Sequence, residues 1–419
     1  MVTFFLYPFF HTPMNYRETI EYLFNSTPVF EHVGASAYKP GLQTTEALDE
    51  HFGHPHRQFK TIHVAGTNGK GSVSHTLAAM LQSAGYKVGL YTSPHLVDFR
   101  ERIRINGECI SKEYVVDFVE NERPFFEPLH PSFFELTTAM AFKYFAEQQV
   151  DIAVIEVGLG GRLDCTNIIT PILSIITNIS FDHTQFLGNT LEQIAMEKGG
   201  IIKQHIPAVI GEVQPDTRSV FERIAREKDA PLYFAEEFSS ILENVEFELK
   251  GDYQEKNKQT ILCAAALLGL LETDIRKGME NVCELTGLTG RWQKIQEQPL
   301  VICDTGHNVA GWEYLSQQLA QQTCKQLRIV FGMVDDKDIQ KVMEMLPKHA
   351  IYYFTKASTK RAIPEIKVKA IGDSLGLNSQ TFPAVQEAYD TAMSDASPED
   401  FIFIGGSSYV VADFLASLH

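Results

Sequence analysis

The chain runs to 419 residues, more than one hydrophobic core usually covers, so two domains are expected. Its 44% hydrophobic and 21% charged residues are ordinary for a soluble globular enzyme. A net charge of -17 argues against a protein that coats nucleic acid, which would show a basic face, but leaves room for a local cationic pocket that takes anionic substrates.

The chain opens on MVTFFLYPFFHTPMN, which is apolar but has no basic residue ahead of the apolar run and is too short to span a bilayer. Residues 1–13 read as an upstream start or a loose tail, and Met14 directly precedes a candidate helix, NYRETIEYLF. No later stretch approaches transmembrane length. Six scattered cysteines (Cys109, Cys165, Cys263, Cys283, Cys303 and Cys324) form no C-x-x-C pair and read as buried thiols in a reducing compartment. The expectation is a cytoplasmic protein with no membrane or nucleic-acid partner.

Short apolar runs then alternate with amphipathic helical stretches, the pattern of a mostly parallel α/β sheet. FKTIHVA (59–65) reads as a strand, GKGSVSHTLAAMLQSAG as a loop and helix closing on Gly85, and YKVGLYTS as the next strand. VDIAVIEV (150–157) and ILSIITNIS (172–180) are continuously apolar, as strands buried on both faces are. Residues 239–250 alternate differently and suggest a hairpin beside the sheet, while DYQEKNKQTILCAAALLGLLE reads as a helix. After GLTGRWQKIQEQPL a second α/β series begins, with VICD, LRIVFGM, AIYYFT and FIFIGG as strands. The boundary is expected near Gln296–Pro299, giving a first domain over 14–295 and a second over 296–419.

The stretch VAGTNGKGSV (64–73) sits between a strand and a helix start, the context of a phosphate-binding loop. It breaks the usual G-x-x-x-x-G-K-[ST] rule, because Gly71 follows Lys70 and Val64 stands six before the lysine. The hydroxyl that normally follows the lysine and reaches Mg²⁺ is therefore missing. Ser93 after the second strand, Glu156 at the end of VDIAVIE, and His183 in ISFDHT all fall at strand carboxyl ends, where ligands bind in such sheets. A hydroxyl, a carboxylate and an imidazole converging there suit a metal site, although histidine is less usual for Mg²⁺. Each also has a plainer role: a turn cap for Ser93, an ion pair with Arg162 for Glu156, a loop hydrogen bond for His183. GLGGR (158–162) lacks the G-x-G-x-x-G spacing of a dinucleotide fingerprint. On pattern alone Lys198 in EKGGIIK reads as a solvated lysine. Arg291 in TGRW would clamp a phosphate, and Asp304 and His307 in DTGHN would orient it or bind ribose; the plainer roles are a linker arginine and an N-cap aspartate.

Together these stretches resemble the folylpolyglutamate synthase/dihydrofolate synthase family within the Mur-ligase-like superfamily. The resemblance is carried by HVAGTNGKGS, YTSPHLVDFRERIRING, VIEVGLGGRLDCTN, ITNISFDHTQFLGNTLEQIAMEKGGIIK, TGRW, DTGHN, FGMVDDKD and GGSSYVVADF. It implies a P-loop ATPase-like sheet domain followed by a smaller Rossmann-like α/β domain. It implies an ATP-dependent ligase that adds L-glutamate to dihydropteroate or tetrahydrofolate through an acyl phosphate, acting as a monomer. It assigns the ATP phosphates to Thr67, Asn68, Gly69, Lys70, Gly71 and Ser72, and other nucleotide contacts to Asn257, Arg291, Asp304 and His307. It assigns one Mg²⁺ to Ser93 and Glu156, and a second to Glu156, His183 and a carbamylated Lys198. His183 as general base for the attacking amine competes with that metal role. GRLDCTN resembles the bifunctional bacterial form, with Asp164 on the pterin. The family usually reads D-x-A-H-N and E-K-A-G-I where this chain carries Gly306 and Gly199. The competing expectations are a Mur-type ligase acting on a UDP-muramoyl peptide, disfavoured because only some sixty residues precede the loop, and a P-loop NTP-binding protein without ligase activity.

Overall fold

A computed structural model describes residues 14–27, 41–238, 242, 244–335 and 337–418. The tail expected over residues 1–13 lies outside the described residues. In the first domain the strands are β1 (Lys60–Ala65), β2 (Val88–Tyr91), β3 (Ile103–Ile105), β4 (Glu108–Cys109), β5 (Ile152–Glu156), β6 (Leu173–Ile176), β7 (Ala208–Ile210) and β8 (Leu232–Phe234). They form one sheet in the order β4-β3-β2-β5-β1-β6-β7-β8. Pairing is parallel from β2 to β8, and β3 and β4 close the far edge as an antiparallel hairpin. The central strands β5 and β6 are buried throughout, which is why they read as apolar runs.

Helices cover both faces. On one face the helix Lys70–Ser83 packs with Tyr253–Leu267 and Glu272–Glu280, around Leu77, Met80, Ile261 and Met279. On the other, Tyr16–Ser26, Lys112–Phe126 and Phe133–Glu147 enclose Phe118, Leu136, Phe142 and Phe145. Helix starts follow the local chemistry. Asn15 with Glu18, and Ser132 with Glu135, each form a reciprocal capping box.

The second domain contains β9 (Gln293–Glu297), β10 (Leu300–Cys303), β11 (Leu327–Phe331), β12 (Ile351–Phe354), β13 (Asn378–Thr381) and β14 (Phe401–Gly405), in the order β13-β12-β11-β14-β10-β9. All pairs are parallel except β9 with β10. The boundary expected at 295/296 therefore runs through β9, a strand of the second sheet. The hairpin expected over 239–250 is not formed by the described part, 242 and 244–250, which contains no strand. There Val245, Phe247 and Leu249 instead insert into the core under the helix Lys70–Ser83. All six cysteines are free thiols, but only Cys165, Cys263 and Cys303 are buried.

Candidate active site

The carboxyl ends of β1, β5 and β6 open into a cleft of about 740 Å³ that is walled by both domains. β1 delivers the loop Gly66–Gly69. Gly66 has φ +146, and a Cβ there would lie 1.8 Å from Thr177 Oγ1, so no other residue fits. The next residues are held by the chain that leaves β6. The Thr67 hydroxyl accepts from the Ser180 amide at 3.0 Å, and the Asn68 amide donates to Asn178 Oδ1 at 2.9 Å. Lys70 folds its ammonium back onto the carbonyls of Gly66 (3.2 Å) and Thr67 (3.1 Å). Asn257, from the helix Tyr253–Leu267, packs its side chain against Gly69.

Lys198 is not the solvated lysine its pattern suggests. It is 5% exposed and donates to the Gly66 carbonyl at 2.8 Å, the acceptor Lys70 also uses. Burial, reinforced by the Lys70 charge, pulls its pKa down to about 7. Gly199, where the family's alanine is expected, faces Ile224 closely enough that a Cβ would lie 2.6 Å from Cδ1. Gly306 likewise faces Leu315 Cδ1 at 2.4 Å. Both alanine-to-glycine departures thus coincide with a neighbouring side chain that fills the space.

Glu156 closes β5 with 3% exposure, and its carboxylate's only hydrogen bond among the described residues is a long one, 3.3 Å from the Ser93 amide. Burial raises its pKa, against the pull of Lys70, Arg291 and Arg102. The ion pair with Arg162 is not made, since that side chain pairs with Glu197 at 2.8 Å. A buried, poorly solvated carboxylate beside a hydroxyl-bearing residue fits a hard divalent cation. No three His, Cys, Asp or Glu side chains group as a metal site among the described residues. A cation at Glu156 would therefore complete its shell with Ser93, water or phosphate oxygens. His183, at φ +48 ahead of the short helix Thr184–Leu187, borders the same cleft beside Asp182.

The second domain supplies the opposite wall. Asp304 is 2% exposed; its carboxylate accepts from Tyr253 Oη (2.7 Å), the Trp292 amide (2.7 Å) and the Gly306 amide (2.8 Å). Arg291 donates to the hydroxyl of Thr305, and its Nη2 lies 3.3 Å from where a Cβ on residue 71 would project. Gly71 therefore leaves room for this guanidinium against the phosphate loop. His307 donates through Nδ1 to the Thr305 carbonyl at 3.0 Å and is held neutral, its pKa near 4, by the surrounding cleft walls and Lys337.

A clasp that sequence reasoning missed ties the two walls. Lys337 Nζ contacts Asp182 Oδ1 at 2.6 Å, and Asn308 donates to Asp182 Oδ2 at 3.2 Å. Asn68 and Asn308 also exchange amide hydrogen bonds of 3.2 and 2.9 Å. Against burial, Lys337, His183 and His307 hold Asp182 well below the usual carboxylate range. Lys337 lies in FGMVDDKD and Asn308 ends DTGHN, so the motifs marked the segments without marking these residues. Nothing in the sequence singled out Tyr253.

Of the expected site residues, Thr67, Asn68, Gly69, Lys70, Gly71, Ser93, Glu156, Asp164, His183, Lys198, Asn257, Arg291, Asp304 and His307 all border this one cleft. Ser72 does not: it is 1% exposed and its hydroxyl accepts from Gln254 at 3.1 Å. No helix is long and apolar enough to cross a membrane among the described residues.

Two family models match, the Mur ligase middle domain over residues 64–269 and the Mur ligase glutamate ligase domain over 290–408. The dihydrofolate synthase/folylpolyglutamate synthase of Bacillus subtilis is 33% identical over 412 residues, covering 90% of this chain and 94% of that protein. Escherichia coli FolC in complex with DHPP and ADP superposes with a TM-score of 0.84 at 31% identity, covering 97% of this chain and 98% of that one. The bifunctional Yersinia pestis enzyme complexed with AMPPNP and Mn ion gives 0.83 at 32% identity, covering 97% and 98%.

Proposed function

The chain belongs to the dihydrofolate synthase/folylpolyglutamate synthase family of ATP-dependent ligases, and from that premise we propose that it joins L-glutamate to the carboxylate of dihydropteroate and of reduced folates through an acyl phosphate. The carrying observation is the convergence of the phosphate loop, Glu156 and Lys198 from one domain with Arg291, Asp304 and His307 from the other around a single cleft.

A carboxylate acylates poorly because its leaving group would be oxide. Transfer of the ATP γ-phosphoryl group to it makes phosphate the leaving group, and the glutamate amine then attacks the acyl carbon to give amide, ADP and phosphate. Lys70, released from its loop carbonyls, and Arg291 would offset charge on the transferring oxygens. Asp304, aimed by Tyr253 and the Trp292 amide, would orient the nucleotide with His307 and Asn257. The closed walls would keep water from the acyl phosphate. Ser93 and Glu156 would hold a divalent cation, with His183 and a carbamate on Lys198 serving a second; such cations supply electrostatic stabilisation of phosphate oxygens. Carbamylation requires a neutral amine to attack CO₂ with loss of a proton, and a lysine titrating near 7 supplies one. Asp164 would meet the acceptor heterocycle, and the second domain would bring the incoming glutamate. A cytoplasmic monomer with only small-molecule partners completes the proposal.

Phosphate release from MgATP, measured with dihydropteroate, tetrahydrofolate or a UDP-muramoyl peptide, with and without L-glutamate, tests it. Glutamate-dependent release with a pteroyl acceptor is expected. Release only with the UDP-muramoyl peptide would move the chain to the Mur-type activity, and release indifferent to every acceptor would make it a plain NTPase.

A further inference from the structure

His63 sits in the middle of β1 with no solvent exposure, three residues before Gly66 opens the phosphate loop. Its Nε2 lies 2.8 Å from Thr166 Oγ1, and that oxygen lies 2.6 Å from Asp164 Oδ1. Its Nδ1 is buried without a hydrogen-bond partner among the described residues. Asp164 borders the cleft. Its Oδ1 also accepts the Thr166 amide at 3.0 Å, and its Oδ2 the Leu159 amide at 2.8 Å.

The direction of the protons follows. Asp164 Oδ1 faces the Thr166 O–H and N–H and Oδ2 the Leu159 N–H, donors that favour the ionised form against the burial that raises its pKa. The single Thr166 hydroxyl proton is committed to Oδ1 in a short hydroxyl–carboxylate bond. Thr166 Oγ1 then offers only lone pairs toward β1, so His63 must carry its proton on Nε2. Burial and the nearby Lys203 charge keep His63 neutral, its pKa near 3, so Nδ1 is bare. A buried ring nitrogen with no partner costs stability, and an apolar side chain of similar size would avoid that cost. The chain keeps the imidazole where it aims a hydroxyl.

We propose that His63 is a positioning residue for acceptor recognition: through Thr166 it fixes Asp164 as a hydrogen-bond acceptor for the N–H edge of the heterocyclic acceptor, an inference that rests on the function proposed above. Were the Thr166 hydroxyl to turn toward His63, Asp164 Oδ1 would lose its strongest donor. The buried carboxyl would then favour its protonated form and present an O–H to a substrate edge that also donates. The relay prevents that reversal, and neighbouring bonds in such a chain strengthen one another.

The test uses the full chain with His63→Leu, His63→Gln, Thr166→Val and Thr166→Ser. Steady-state KM is measured for dihydropteroate and for ATP, together with direct dihydropteroate binding and thermal midpoint. His63→Leu and Thr166→Val should each raise the dihydropteroate KM and dissociation constant about tenfold, while the ATP KM moves less than about twofold. His63→Gln, whose amide can donate where Nε2 did, and Thr166→Ser, which keeps the hydroxyl, should stay near the parent. The midpoint of His63→Leu should hold or rise, opposite in sign to its binding defect. Unchanged dihydropteroate binding in both His63→Leu and Thr166→Val, or equal rises in both substrates' KM, would overturn the proposal. If His63→Leu does not fold, the two Thr166 variants decide it alone. A parent chain that neither binds nor ligates any pteroyl acceptor would instead overturn the functional reading, and this inference with it.

Discussion

The two walls of the cleft are built on different principles. On the first-domain wall, backbone conformation holds the groups: Gly66 and Gly69 adopt φ of +146 and +82, and the loop they bracket is stitched to residues just past β6. On the second-domain wall, side chains reach for partners on the opposite side. Asp304 takes the Tyr253 hydroxyl, Asn308 the Asn68 amide, and Lys337 the Asp182 carboxylate. The first wall's loop is held by contacts within its own domain. The second acquires its shape against the first, so chemistry should depend steeply on one wall and in graded fashion on the other.

The steepest break should come from Lys70→Ala, which removes the loop's own cation and should lower ligase turnover about 10³-fold with the fold intact by circular dichroism. Gly66→Ala, whose Cβ would collide with Thr177, should leave little folded, active protein. Lys198→Ala comes next, losing about 100-fold in turnover, part of which acetate or bicarbonate should restore. In enzyme stripped of CO₂, bicarbonate-dependent activity should rise as pH climbs through 7, because the lysine must shed its proton before it can be carbamylated. Activity that falls over that range, or a Lys198→Ala enzyme as fast as the parent, would remove the carbamate from the mechanism.

Effects on the second wall should be smaller. Lys337→Met breaks the ion pair with Asp182, which keeps its Asn308 bond, and should destabilise the packing of the two walls by about 1–3 kcal/mol. Small-angle scattering should then report a more open average shape, and KM for glutamate should rise more than KM for ATP. Tyr253→Phe removes one of three donors to Asp304 and should raise the ATP KM by only about tenfold or less. If Tyr253→Phe matched Lys70→Ala in severity, the contrast between the walls would fail.

The same contrast explains what was legible beforehand. β5 and β14 are buried along their whole length and appear as apolar runs flanked by helical patterns, while β1, β6 and β11 are nearly as buried but carry His63, Ser174 and Arg328 within them. β9 and β13 are sheet edges with mixed exposure, and neither period nor composition separates them from loop. For that reason the expected boundary falls inside β9. The turn Gly66–Gly69 was readable because its glycines act locally. The burial of Lys198 was not, since its acceptor, Gly66, lies 132 positions away. The Lys337–Asp182 pair spans 155 positions, and no local pattern encodes that separation. Ser72 shows the opposite case: it sits in the motif, but the first turn of the helix points its hydroxyl at Gln254.

The amide pair between Asn68 and Asn308 joins positions 240 residues apart. At translation rates of roughly 5–20 residues per second, Asn68 leaves the ribosome on the order of tens of seconds before its partner. During that interval the phosphate loop has its glycines, its lysine and its stitches to residues 178 and 180, but lacks the opposite wall. A nascent first domain of this chain can thus fold its nucleotide loop early, yet stays without the machinery for ligation until nearly three quarters of the polypeptide has been made.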